Sequence, residues 1–289
     1  MPTFPSKNTP SNDVSAQPGN VSNRRSFIED LQINYGPAGL LGRFLLFADN
    51  FVYEHGITLE FAPIAEAWRA QTANRDSWGL FPPMLDGRLS TLSEAMSYCL
   101  LGRNQKSEVV AAQCGRIYDL GNRSLSDIVE DHSFFYGEGG GPLPGQPICD
   151  LWAPAAKRIS GTIVYSGALW VRPDYRGHRL AKLLPRISRS YALARWNTEF
   201  TVAFIGEKLA QTPLLSMYGY TKVETGFRIT NLEGSEMTGA LMWMDRDELA
   251  ADLARYLAEG LAQVDGAVAQ SNSEHQTPTI GTNERHRHT

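Results

Sequence analysis

Between Thr162 and Ile205 the residues read as strand, glycine turn, helix and strand, an order that points to an α/β domain. Thr162 to Val171 (TIVYSGALWV) is apolar, β-branched and aromatic, the composition of a buried or half-buried strand. Pro173 ends the strand and Arg176-Gly177 make the turn. Leu180, Leu184, Ile187, Tyr191 and Ala194 then recur at spacings of four, three, four and three, which places them on one face of a helix. Phe200 to Ile205 (FTVAFI) reads as a second buried strand. A strand, helix and strand of this length imply a parallel pair with a right-handed crossover. The helix start exposes its first N–H groups and the positive end of its dipole, which makes an anion site out of backbone.

The residues of this turn carry a resemblance. Val171, Pro173, Tyr175, Arg176 and Gly177, followed by Arg176-x-x-Arg179-x-Ala181, resemble motif A of the GNAT acetyltransferase superfamily, whose pattern is Arg/Gln-x-x-Gly-x-Gly/Ala. Arg179 stands where the family has glycine. Its side chain either points outward and lends charge to a phosphate or obstructs the pocket. The resemblance spans roughly residues 107 to 246. It implies an α/β fold with a GNAT-like mixed central sheet, splayed parallel strands and flanking helices. The activity it implies is transfer of an acetyl group directly from acetyl-CoA, the acyl-donor substrate, to an amine of a small molecule. The alternative is a module of the same fold that binds or senses acyl-CoA without catalysis; a weaker third option is a protein-modifying acetyltransferase.

Under that resemblance each chemical task falls to particular residues. The N–H groups from Gly177 through His178, Arg179 and Leu180 to Ala181 hold the pyrophosphate, with charge from Arg176 and Arg179. Leu169, Trp170 and Val171 form the edge that pairs with the pantetheine amides, and an N–H near Trp170 or Val171 is the oxyanion donor. Tyr218-Gly219-Tyr220 resembles the family's closing motif, in which a tyrosine four residues before the glycine protonates the leaving thiolate. Leu215 occupies that place, and Tyr218 is the substitute candidate. An alkyl amine with a pKa near about 10.4 must lose a proton before it attacks, and Glu207, just past the second strand, is the base best placed by position. Against these roles stands the plain reading of Glu207 as a solvated strand-end acid and of His178 as a donor or surface residue.

Composition narrows the partners. With 27 basic against 31 acidic residues there is no surplus of cations to displace counterions, so nucleic acid is not expected as a partner. Three cysteines, Cys99, Cys114 and Cys149, are too few and wrongly spaced for a zinc site or a disulfide framework, so no metal is expected. No signal core or long uncharged apolar run is present, so a cytoplasmic location without membrane attachment is expected, and a homodimer is left open. Residues 1–25 and 265–289, rich in Pro, Ser, Asn and similar residues, read as disordered tails around a single domain at 26–264.

Elsewhere the pattern is plainer. Residues 38 to 103 read as helical, with amphipathic runs at Leu41, Leu45, Ala48 and Val52, at Ile64, Ala67 and Trp68, and at Leu92, Ala95, Met96, Cys99 and Leu100. The loop Trp78 to Met84 (WGLFPPM) is either pinned by its own large side chains or a wall of the acceptor pocket. Glu108 to Tyr118 and Gly239 to Met244 read as strands, and Asp245-x-x-Glu248 as a capping box opening a helix with Leu249, Leu253, Leu257 and Leu261. Three adjacent glycines at 139–141 lack the Lys-Ser or Lys-Thr of a phosphate loop, and Asp131-His132-Ser133 is not a triad, because consecutive side chains diverge.

Overall fold

The computed structural model describes residues 26–212 and 214–274. The expected tail at 1–25 and residues 275–289 of the one expected at 265–289 lie outside the described residues, whereas residues 265–274, expected to be disordered, continue the last helix. In chain order the elements are α1 (Ala38–Glu54), β1 (Ile57–Ala62), α2 (Ile64–Ala73), α3 (Arg75–Trp78), β2 (Ser97–Asn104), β3 (Val109–Ser124), α4 (Leu125–Glu130) and α5 (Ser133–Tyr136). There follow β4 (Ile148–Leu151), β5 (Ser160–Val171), α6 (Leu180–Trp196), β6 (Phe200–Gly206), α7 (Glu207–Ala210), α8 (Leu214–Met217), β7 (Lys222–Leu232), β8 (Ser235–Asp245) and α9 (Arg246–Glu274).

Among the described residues the strands form one sheet in the order β1-β2-β3-β5-β6-β8-β7-β4. All neighbours are antiparallel except β5 and β6, the pair joined through α6. That parallel pairing spans only Ile163↔Phe200 to Tyr165↔Val202, after which the strands separate. Beyond that point β5 stays on β3 and β6 stays on β8, so each remains bonded on its outer side while the inner sides open. This is the mixed sheet with splayed parallel strands that the motif implied.

Two apolar clusters cover the faces. On one, α1, α6 and α9 pack through Phe44, Leu45, Leu183, Leu184, Ile187, Leu249 and Leu253. On the other, Ile64, Phe81, Met84, Phe134, Phe227 and Ile229 lie against Tyr165 and Val202. The helix expected over residues 92–100 is instead the start of β2: Ser97 to Gly102 are all buried on both faces, and an uninterrupted buried strand carries apolar residues at helical spacings by chance. Strand β1, within the region expected to be helical, was likewise not anticipated. The capping box at α9 forms as expected, with Glu248 N–H donating to Asp245 Oδ1 at 2.9 Å and Asp245 N–H donating to Glu248 Oε2 at 3.0 Å.

A buried ion cluster fixes α6 to α9. Asp252, on α9, accepts from Arg186 Nε at 2.8 Å and Nη2 at 3.0 Å, lies 3.6 Å from Arg189 and also accepts from Arg255 at 2.9 Å. Arg186 in turn donates to the Met217 carbonyl, and Arg189 donates to that of Tyr218, so the cluster also holds the chain from α8 into β7 against α6. Gly219 allows this closeness: its φ is +76° and a Cβ there would collide with the Arg186 guanidinium and Asp252. With Asp252 1% exposed and Arg189 fully buried, removing the carboxylate strands two buried guanidinium groups. Asp252→Ala is expected to lower the unfolding free energy by about 3–5 kcal/mol, read from the urea midpoint at neutral pH; a loss within 1 kcal/mol would show, by the ordinary scale of surface substitutions, that the cluster does not hold the helices together.

Candidate functional site

The opening between β5 and β6 is a cleft of about 440 Å³. It is lined from one side of the sheet by Pro185 of α6 with Ala203, Met242, Tyr218 and Tyr220, and from the other by Tyr165, Phe204 and the 78–84 loop. The cleft therefore passes through the sheet. A β-bulge shapes its β5 wall: pairing to β3 runs to Cys114↔Gly167 and resumes at Ala112↔Trp170, so two residues of β5, Ala168 and Leu169, face Gln113 alone. Ala168 takes φ +54°, in the left-handed region that few alanines adopt, and both bulge residues line the cleft. Backbone amides at Gly167, Ala168 and Leu169 are thus set where no strand of the sheet pairs with β5 from the β6 side.

Polar atoms converge there without partners. Gln113, 2% exposed, donates through Nε2 to Ser166 Oγ and to the Gly167 carbonyl, both at 3.0 Å, which leaves its Oε1 buried and unbonded. The Tyr220 hydroxyl and the Trp78 indole N–H are also buried with no hydrogen-bond partner among the described residues. A buried polar atom left unbonded costs about 1–3 kcal/mol, and all three belong to residues of the cleft wall. The Arg189 guanidinium stacks 4.6 Å from the centre of the Tyr220 ring. Burial raises the Tyr220 phenol above its ordinary value, and Arg189 and Ser166 oppose part of that rise. Burial likewise raises Tyr218.

At the upper end of α6 the turn has the expected form. Val171 is followed by a single 3-10 turn at Pro173–Tyr175, Gly177 sits at φ +93° with open space where a Cβ would be, and α6 begins at Leu180. Lys182 and Leu183 are bonded back to the Arg179 carbonyl, so the N–H groups before them belong to the unsatisfied first turn. Pro185 lies four residues after Ala181, about 6 Å along the axis, so the helix start and the cleft are joined along one face of α6. Arg179 itself takes the left-handed conformation, φ +58°, that glycine adopts most easily, and its side chain reaches out to Gln263 on α9. Of the two readings of Arg179, the side chain takes the outward one.

The remaining expected residues are placed as follows. Leu169 lines the cleft. The Trp170 ring turns to the 78–84 loop, stacking on Trp78 at 4.7 Å and donating to Ser77 Oγ at 3.2 Å. The Val171 carbonyl accepts from Arg176 Nε at 3.2 Å, which folds that side chain back on its own strand. His178 is exposed and stands edge-on to His55, 5.1 Å between centroids, while Leu180 is buried in the core and Ala181 half-buried. Tyr218 lines the cleft, and Leu215 lies in α8. Glu207 opens α7, exposed, accepting from Thr238 Oγ1 at 3.3 Å and flanked by the cleft residues Gly206 and Leu209.

Gln113, Ser166 and Tyr220 were not singled out from sequence. Only Tyr220 had a signal, its place directly after Gly219 in the closing motif. The 78–84 loop is pinned by its own side chains, with Phe81 and Met84 buried, and it also lines the cleft. It is fixed by Gln71, which donates to the Gly79 carbonyl, and by the buried Arg116, which donates to the Met84 carbonyl at 2.9 Å. Among the described residues no three His, Cys, Asp or Glu side chains are grouped to hold a metal, and no helix is long and apolar enough to cross a membrane.

No protein-family model and no curated protein sequence matches the chain. Among solved structures it is similar to NAA60 of Arabidopsis thaliana in complex with acetyl-CoA, at 13% identity and a TM-score of 0.41, covering 65% of this chain and 98% of that one. It is also similar to a putative arylalkylamine N-acetyltransferase of the mosquito Aedes aegypti, at 14% identity and a TM-score of 0.38, covering 66% and 87%. A third is the spermidine N-acetyltransferase SpeG of Vibrio cholerae, at 7% identity and a TM-score of 0.38, covering 68% and 96%.

The left-handed Arg179 supplies a direct check of the turn. Arg179→Gly removes the strain of a side chain in that region and is expected to raise stability by about 1 kcal/mol, measured by the shift of the denaturant midpoint. A fall in stability would mean that the contact with Gln263 outweighs the backbone strain.

Proposed function

We propose that the chain is an acyl-CoA-dependent N-acetyltransferase of GNAT type, acting on an amine of a small molecule. The observation that carries this reading is the cleft through the sheet, with bulged β5 backbone on one wall and a helix start along the same face of α6. The fit to acetyl-CoA is argued from what that cleft offers: unsatisfied N–H groups for a pyrophosphate, a strand edge for amides, and buried unbonded polar atoms at the point of separation.

In the proposed reaction the amine nitrogen forms a bond to the thioester carbonyl carbon and the carbon–sulfur bond breaks, giving an amide and a free thiol. The β5 amides at the bulge donate to the oxygen as its charge develops. The proton that the ammonium must lose before attack passes through water at the mouth to Glu207, and the second, lost from nitrogen as the tetrahedral intermediate collapses, restores the tyrosine that protonates the sulfur. The thiolate sulfur takes its proton from a tyrosine. Tyr218 keeps the role expected of it from sequence as one option, but Tyr220 is the stronger donor: it lines the cleft, and the Arg189 guanidinium stacked on its ring steadies the phenolate that remains. A raised phenol keeps that proton to higher pH, so the donor stays competent up to and beyond the ordinary tyrosine value.

The test is thiol release from acetyl-CoA across an amine panel, with the acetylated amine confirmed by mass. Tyr220→Phe is expected to lower kcat about 100-fold or more with the KM for acetyl-CoA little changed, the usual scale for loss of a positioned acid, while Tyr218→Phe stays within a few-fold of the parent. The reverse order would reassign the acid to Tyr218. Binding of acetyl-CoA with no thiol release for any amine would favour the sensing module in place of the enzyme.

A further inference from the structure

The half of the cleft away from α6 has an uneven chemistry. Its walls are the 78–84 loop, with Trp78, Leu80, Phe81 and Met84, and the end of the β7–β8 hairpin, with Leu232 and Met237. The hairpin is tied across to α3 by the ion pair of Arg75 with Glu233, next to the turn, so the two walls are strapped together at the rim. Among the described residues lining the cleft, only three tyrosines and Glu236 can ionise, and none is a lysine, arginine, histidine or aspartate. Glu236 is exposed, at the hairpin end.

From this we infer, on the basis of the acetyltransferase reading, that the acceptor is a monoamine carried on an apolar body, such as an aromatic ring on a short alkyl chain. A second ammonium or a guanidinium would be buried against Phe81, Met84, Leu232 and Met237, with no carboxylate among them and Glu236 only at the exposed rim, and an unpaired buried charge is strongly disfavoured. An acceptor carrying a carboxylate would meet Glu236 and no cation. The single charge of a monoamine can be met by Glu236 on entry and then lost. The apolar walls favour the neutral amine, because desolvation lowers the pKa of an ammonium. The same walls therefore select the acceptor and help to deprotonate it.

The experiment titrates phenethylamine and spermidine separately into the full chain saturated with coenzyme A, and measures thiol release with both amines from acetyl-CoA. Phenethylamine is expected to bind more tightly and to exceed spermidine about 100-fold in kcat/KM. Ser235→Glu, which adds a second carboxylate at the exposed hairpin end, is expected to narrow that gap about tenfold by improving spermidine, with no demand on the core. Equal or tighter binding of spermidine by the parent protein overturns the inference. Selective binding of phenethylamine without thiol release supports the ligand class and overturns transfer, so the two readings fail separately.

Discussion

Everything about the site depends on where β5 and β6 stop pairing. Each strand has a partner on its outer side along its whole upper half, β3 for one and β8 for the other, so neither can turn to close the gap. The bulge at Ala168 and Leu169 bends β5 at the point of separation, and left-handed backbone at a non-glycine residue is a strain that the flanking ladder must hold in place. An opening made this way is rigid, because closing it would break an antiparallel ladder. Amides along its edge are preorganised to donate to whatever enters.

The covering of the opening is equally determined by buried charge. Arg186 and Arg189 reach from α6 to the carbonyls of Met217 and Tyr218 and are balanced by Asp252 of α9. That arrangement seats Tyr220 beneath Arg189. On the far side the buried Arg116 holds the proline-containing loop against the sheet. Burying several guanidinium groups is costly, and carbonyls and one carboxylate offset part of that cost, while Arg116 Nε and Arg189 Nε and Nη1 have no hydrogen-bond partner among the described residues. The consequence is a cleft whose walls come from distant parts of the chain and are held by polar contacts as well as by apolar packing.

The strand, turn and helix around Gly177 could be read from residues alone, because their chemistry is local: β-branched residues, a proline stop, a glycine at positive φ and a four-three spacing all act within a few positions. The parallel pair followed from that order by topology, and its splay from the resemblance of the turn to the family motif. Strand β2 could not be read, because a strand buried on both faces has no alternation to show, and Leu92, Ala95, Met96, Cys99 and Leu100 imitate a helical face. Nor could Gln113 and Ser166 be picked out, since a single polar residue in an apolar strand gives no sign of what faces it across the bulge. The outward course of Arg179 depends on α9, more than eighty residues later in the chain, and no local pattern encodes it.

The central claim is that the helix start and the splayed strands together form one site for an acyl-CoA. Isothermal titration of acetyl-CoA into the parent protein and a Gly177→Val variant tests it most directly, since Gly177 sits at φ +93° in open space, where a branched side chain is disfavoured and would stand over the turn. One molecule bound per chain, with affinity reduced at least about tenfold in a variant that still unfolds cooperatively, is the result the account predicts. Unchanged affinity would place the anion site elsewhere, and no binding by the parent protein would contradict the claim outright.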